Sequence, residues 1–236
     1  MEKTGSVNDS IEDYARYFRQ KIDDVQKVEP RRFRKILFAC IIDTLALAGN
    51  SDTLVQAGNS RKKKTHGRNG ERFVQFIDKF SHWQEKDTIS AQQLLLKLND
   101  TETELYRKAK SLVDSWPPTL DITSDKDLSP DMARALVTLD EQDYVTQCRY
   151  AQLLYRYRNS LIHEVREPGR CPMEFSGDPD TPFYHPNFDN VSEPWQLVFP
   201  SSFFCKLCAD CLFNLVEALR IEGRDPYKVY RFTDVW

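Results

Sequence analysis

Hydrophobic residues recur at spacings of three and four along most of this chain, which is the pattern of amphipathic helices. The first stripe runs through Tyr14, Phe18, Ile22 and Val25. The pattern predicts eight helices, over residues 11–28, 33–48, 73–83, 91–98, 104–116, 130–139, 143–163 and 201–219. We expect 143–163 to be one long helix and 33–48, apolar on nearly every face, to be largely buried. No strand–helix–strand alternation occurs, so the fold class predicted is all-α.

Three segments break the helical pattern. Residues 51–71 contain three glycines and a basic run, which predicts a long loop, and 119–130 predicts an acidic loop. Residues 168–200 are rich in Pro, Gly, Asp and aromatic residues, so we expect an irregular insertion with at most a short hairpin near 195–199. The prediction is a single domain, 1–236, in which a helical bundle carries extra N-terminal helices and this long insertion before its last helix.

Composition and charge limit which partners and which compartment the sequence favours. The formal net charge of −3 does not favour a protein dominated by polyanion binding, so any nucleic-acid contact must use a local patch. No apolar run approaches the roughly 20 residues that cross a bilayer, and the polar first 24 residues do not resemble a signal peptide. We therefore expect a cytoplasmic protein with no membrane contact and with reduced cysteines.

Candidate chemistry is concentrated at the end of the helix predicted over 143–163, where Arg158, Asn159 and His163 follow one another. Histidine suits proton transfer near neutral pH because its unperturbed pKa is about 6.5. Arginine is permanently charged and can donate two parallel hydrogen bonds to a phosphate. Metal-free RNA cleavage needs both groups: a proton leaves the attacking 2′-hydroxyl, the phosphorane carries negative charge, and the 5′-oxygen takes a proton.

This Arg-Asn-x3-His run resembles the Arg-x(4–6)-His motif of the HEPN superfamily, many of whose members are metal-independent RNases. The resemblance covers about 130–222. It implies a HEPN-like bundle, no cofactor, a homodimer with a composite site at its interface, and RNA as substrate. In this interpretation His163 is the general acid/base, Arg158 stabilises the phosphorane, and Asn159 orders the helix end or holds a phosphate oxygen.

The resemblance leaves several alternatives open. Arg156 satisfies the longer x6 spacing, so the catalytic arginine is either Arg156 or Arg158. The family setting is a toxin, phage-defence or RNA-processing system, with a possible antitoxin or regulatory protein as partner. A non-catalytic domain that binds nucleotide, RNA or protein is the competing class. A solvated helix end, where the cations face the helix dipole, would be purely structural.

Two further sets of charged residues are candidates for supporting roles. Asp43 lies inside an apolar run, so it either orients His163 or Arg158, or makes a structural pair, or faces solvent in part. The basic residues of the 51–71 loop could follow an RNA backbone or could be a solvated loop. They are Arg61, Lys62, Lys63, Lys64 and Arg68.

Cysteines and aromatic residues near the C-terminus offer two last candidates. Cys205, Cys208 and Cys211 are spaced by three, which spreads them over about 120° of a helix and cannot close on one metal ion. We therefore predict no metal site and ordinary core thiols. The aromatic residues of the 168–200 insertion, Trp195 among them, either stack bases or pack the insertion against the helices.

Overall fold

The computed structural model describes residues 6–49, 66–98, 102–117, 122–168, 179–186 and 194–229. These residues are mostly helical, in agreement with the predicted helical class. They form two compact units, one from 1–82 with 204–236 and the other from 83–203. None of the described helices combines the length and apolar character needed to cross a bilayer.

The first unit is built from helices. Its elements are α1 (Val7–Gln26), α2 (Arg31–Gly49), α3 (His66–Phe80), most of α9 (Ser201–Glu222) and a 3₁₀ turn (Pro226–Val229). Helix α1 begins four residues earlier than the sequence predicts, because Ser6 and Asp9 form a capping box. Helix α3 also begins earlier, so 66–71 are helical and the predicted loop over 51–71 is wrong for that stretch.

The first unit's core is formed by buried faces of α1, α2, α3 and α9. The buried residues of α1 are Ile11, Tyr14, Ala15, Phe18, Ile22 and Val25. They include the four-residue stripe read from the sequence. Helices α2 and α3 approach closely at Gly49, where an added Cβ would lie 2.8 Å from Cδ2 of the buried Phe76 ring. A larger residue at position 49 would therefore collide with the core.

The second unit combines short helices with a small sheet. Its helices are α4 (Ala91–Leu98), α5 (Glu104–Asp114), α6 (Pro130–Leu136), α7 (Gln142–Gln147) and α8 (Tyr150–Asn159). Its strands are β1 (Ile122–Thr123), β2 (Phe183–Pro186) and β3 (Trp195–Val198), antiparallel and in the order β1-β2-β3. Tyr184 pairs with Leu197 on one side and Ile122 on the other. The expected hairpin near 195–199 therefore exists, and β1 extends it into the predicted acidic loop.

The single helix predicted over 143–163 is wrong. The chain leaves the helix at Cys148, and Arg149 is extended, with φ −61° and ψ 142°. Here the backbone forms hydrogen bonds with residues 88–90 in place of two helical ones. Ser90 N–H donates to Cys148 O at 3.0 Å, and Tyr150 N–H donates to Thr88 O at 3.0 Å. An ion pair from Arg149 to Asp87 reinforces this junction. These contacts hold the first residues of helix α8, which carries the motif, against residues 87–90.

Candidate functional site

The motif spans a change of helix type. Arg158 and Asn159 are the last two residues of α8, and His163 lies in a π-helical turn, Ser160–Glu164. The turn closes where Val165 N–H donates to Ser160 O, five residues back. On an ideal α-helix, residues five apart are rotated by roughly 140°. The wider turn reduces this separation for Arg158 and His163, and such turns occur frequently at functional sites.

Neighbours on its own helix orient Arg158. Its Nη1 donates to Asn159 Oδ1 at 2.8 Å, and its Cζ lies 5.9 Å from the centroid of the Tyr155 ring. The side chain is half-buried. A guanidinium stacked on an aromatic ring loses less conformational freedom when it binds an anion than a free one does. Asn159 therefore helps to position the Arg158 guanidinium, and the choice between its two expected roles stays a prediction.

His163 is exposed, unlike Arg158. Across the described parts of the chain, no side chain hydrogen-bonds to its imidazole. Neighbouring charges pair with each other, as Arg166 Nη2 and Glu164 Oε2 lie 2.5 Å apart. The ring is accessible to a ligand or a second protein chain, and nothing described within this chain fixes its tautomer.

Val165 ends the π turn in a strained conformation. Its φ of 54° and ψ of 32° place it in the left-handed region. A β-branched residue is rarely found there, since its Cβ crowds the backbone. Strain of this kind persists only where surrounding structure imposes it and is common at active sites and switches. Two residues on, Glu167 Oε2 accepts a 2.6 Å hydrogen bond from buried Tyr157, which ties the chain back to α8.

Arg156 faces a different environment from Arg158. Its Nη2 donates to Gln147 Oε1 at 3.2 Å. Together with Tyr157 and Ser160, it lines a cavity of about 180 Å³ beside strand β3. The structure therefore gives the two candidate arginines separate surroundings, and the choice between them stays a prediction.

The other predicted residues are spread along the chain. Asp43 is half-buried on α2, in the first unit, and its assignment to the motif stays a prediction. Arg61, Lys62, Lys63 and Lys64 lie outside the described residues. Arg68 is in α3, not in a loop. A phosphate-binding role for this basic run is therefore untested.

A buried carboxylate, Asp127, is the main polar feature that the sequence did not reveal. Its Oδ2 accepts hydrogen bonds from Tyr184 at 2.6 Å and from Tyr150 at 2.9 Å, and its Oδ1 accepts one from Ala91 N–H at 2.6 Å. Burial raises the pKa of Asp127 to about 6, although these hydrogen bonds act in the opposite direction. Burial also raises the pKa of both tyrosines. The Ser90 hydroxyl lies 2.6 Å from the Tyr184 oxygen and donates to it, because the single phenolic proton is used by Asp127. The network joins α4, β2 and α8.

The sequence also gave no sign of a histidine–aspartate pair in the first unit. His82 Nδ1 lies 2.8 Å from Asp210 Oδ1, and the same carboxylate accepts from the His82 backbone N–H. The two residues are 128 positions apart, so only tertiary structure joins them. A carboxylate fixes one ring nitrogen here, as it does in many catalytic and metal-bound histidines.

Two of the three cysteines of α9 pack in the core, as predicted, and Cys205 is half-buried. Cys208 and Cys211 are buried, and the Cys208 thiol donates to Phe38 O at 3.4 Å. Burial raises the pKa of Cys208 well above its ordinary value. Gln26 Nε2 donates to Cys205 Sγ at 2.8 Å. Within the described residues, no three His, Cys, Asp or Glu side chains are grouped so that they could hold a metal ion.

The chain matches no protein-family model, no curated protein and no solved structure.

Proposed function

We propose that this protein is a HEPN-like, metal-independent endoribonuclease that cleaves single-stranded RNA as a homodimer. The observation that carries the proposal is the π turn beginning directly after Arg158 and Asn159 and containing His163. It brings a permanent cation and a proton-transfer group closer to one face than an α-helix would, next to strained Val165.

In the proposed reaction a base removes the proton of an RNA 2′-hydroxyl, and the resulting oxyanion attacks the adjacent phosphorus. Arg158 donates hydrogen bonds to the phosphorane oxygens. The bond to the 5′-oxygen breaks, and an acid protonates that oxygen. The products are a 2′,3′-cyclic phosphate and a 5′-hydroxyl, so no water, metal or cofactor enters this step.

One histidine cannot conveniently supply both proton transfers. Two copies facing each other across a two-fold axis would bring a second His163 to the same phosphate, which is why the homodimer belongs to the proposal. The exposure of His163 supports this arrangement, because a partner chain can reach it. A toxin or phage-defence role, with an antitoxin or regulatory protein as partner, is the proposed biological setting.

A non-catalytic module that binds nucleotide, RNA or protein is the second candidate. The observation favouring it is that no described side chain orients the His163 imidazole. Catalytic histidines usually have such a partner. This module would keep the arginines for binding and would not cleave RNA.

The decisive experiment is cleavage of a long single-stranded RNA in excess EDTA. The proposal expects cleavage by the wild type and losses on the order of 10²-fold or more for Arg158→Ala and His163→Ala. Arg156→Ala is measured at saturating RNA: a comparable loss there would give the catalytic role to Arg156, whereas a loss confined to low RNA concentrations would leave that role to Arg158. The matched controls are His82→Ala and Arg134→Ala, which remove an exposed histidine and an exposed arginine outside the motif. RNA left intact by the wild type would favour the binding module instead.

A further inference from the structure

A cavity lies directly behind the motif, between α8 and the sheet. Its volume is about 180 Å³. It is lined by Arg156, Tyr157 and Ser160 from α8 and the start of the π turn, and by Trp195, Gln196 and Phe199 from β3 and the residue that follows it. Arg156 and Ser160 are four residues apart on the helix and so lie on one face. The cavity is thus within one turn of Arg158.

The size of the cavity suits a single planar ring. An engineered protein cavity of about 150 Å³ takes up benzene. A volume of about 180 Å³ therefore has room for a six-membered ring with its exocyclic groups. The fused double ring of a purine is larger and would fit less well. Tyr157, Trp195 and Phe199 line the cavity and are all buried. Aromatic side chains are the surfaces on which nucleic-acid bases stack.

Gln196 gives the cavity wall a hydrogen-bonding group. The residue is only 8% exposed, and its Nε2 donates to the Pro168 carbonyl. Its Oε1 is buried and has no hydrogen-bond partner among the described residues. Leaving such an acceptor unpaired is unfavourable. A rotation of the Gln196 amide would turn this enclosed oxygen towards the cavity, where the N4 amino group of cytosine or the N3–H of uracil could donate to it.

Arg156 supplies the complementary charge. It is exposed, lines the cavity, and makes one 3.2 Å hydrogen bond to Gln147. A phosphate attached to a base in the cavity would lie towards this guanidinium, which can donate to it bidentately. The aromatic wall, the unpaired amide oxygen and the cation at its edge together fit a pyrimidine nucleotide.

We propose that this cavity binds a pyrimidine base of the RNA, with Arg156 on the attached phosphate. The inference rests on the proposed function, since it places the base pocket beside the cleavage motif. It assigns Arg156 to binding, leaves Arg158 for the reaction, and predicts that cleavage occurs next to pyrimidines.

Calorimetric titration of the full-length protein with CMP, UMP, AMP and GMP tests the pocket without requiring catalysis. We expect CMP and UMP to bind about tenfold more tightly than the purine nucleotides, a difference of about 1.4 kcal/mol. Pentamers of C and of A are compared in the same way. If RNA is the natural source of the base, the C pentamer binds more tightly than CMP, whereas tighter binding of CMP would indicate a free nucleotide.

Three variants locate the binding. Leu197→Trp fills the cavity from a half-exposed position, and Gln196→Leu removes the amide; both should weaken CMP binding about tenfold or more. Leu139→Trp, at a side chain that is 84% exposed and outside the cavity, should bind as the wild type does. If Gln196→Leu does not fold, Leu197→Trp still decides.

Equal affinity for purine and pyrimidine nucleotides, no binding of CMP, or unchanged binding by Leu197→Trp would each overturn the pocket. Arg134→Ala, which removes an exposed arginine outside the cavity, is titrated alongside and should bind CMP normally. Absence of RNA cleavage together with CMP binding in the cavity would reject the nuclease and keep the pocket. RNA cleavage without a preference for pyrimidines would reject the pocket and keep the nuclease.

Discussion

The Tyr184 hydroxyl donates a 2.6 Å hydrogen bond to the carboxylate of Asp127 in the interior of the second unit. This carboxylate also accepts a hydrogen bond from Tyr150, the first residue of α8. The helix that carries the motif is therefore bound to an ionisable side chain. Because burial raises the pKa of Asp127 from its ordinary 3.8 to about 6, the folded protein binds this proton more tightly than the unfolded chain does.

Asp127→Asn should therefore remove a specific pH dependence of stability. The contribution of protonated Asp127 is fully present below the unfolded pKa of 3.8 and is lost as the pH rises to about 6. The difference corresponds to roughly 3 kcal/mol. Urea unfolding from about pH 4 to 7 should show the wild type losing about that much relative to Asp127→Asn.

The matched control for this experiment is Asp125→Asn. Asp125 is exposed, and its hydrogen bond from Thr123 lowers the pKa of its carboxyl, so its titration falls below this pH window. Its variant should follow the wild-type pH profile. Parallel profiles for wild type and Asp127→Asn would show that Asp127 does not titrate as described.

Val165→Gly should stabilise the protein. Glycine adopts the left-handed region without the cost of roughly 1–2 kcal/mol that a side chain carries there, and this gain exceeds its larger loss of chain entropy. We expect an increase of up to about 1 kcal/mol in the free energy of unfolding. Val137→Gly is the control, because Val137 has φ −73° and gains nothing from glycine. A loss of stability in both variants would mean that Val165 is not strained.

Mixing wild type with an inactive variant tests the composite site. In the proposed reaction two His163 side chains act on one phosphate, so a heterodimer of wild type and His163→Ala lacks one of the two proton-transfer groups and should be inactive. When equal amounts of the two proteins are mixed and allowed to exchange subunits, the rate of RNA cleavage should fall to about half of its value before exchange, because half of the wild-type chains then lie in heterodimers. A rate that does not change despite demonstrated exchange would show that each His163 works without its twin.

The helices could be predicted from sequence because their apolar stripes are local. Ala91–Leu98 was predicted to the residue, and the buried face of α1 contains the four stripe residues. The break at Cys148 could not be predicted, since it depends on backbone hydrogen bonds to Thr88 and Ser90, far away in sequence. Hydrogen bonds between distant segments can override the local preference of a sequence for helix.

The candidate site was predictable only in part, for the same reason. The order of Arg158, Asn159 and His163 is visible in the sequence, but the π turn between them is not. Asp127 lies in a stretch that looks like an acidic surface loop, and only the folded chain brings Tyr150 and Tyr184 to it. The buried amide of Gln196 likewise gave no sequence signal.

The most direct test of the account is cleavage of an RNA oligonucleotide in EDTA, with an otherwise identical oligonucleotide carrying one 2′-deoxy residue at the main cleavage position. We expect wild type and His82→Ala to cleave the RNA to a 2′,3′-cyclic phosphate and a 5′-hydroxyl. The deoxy residue should block cleavage at its own position. His163→Ala should cleave neither oligonucleotide. Cleavage at the deoxy position, or wild-type cleavage by His163→Ala, would contradict it.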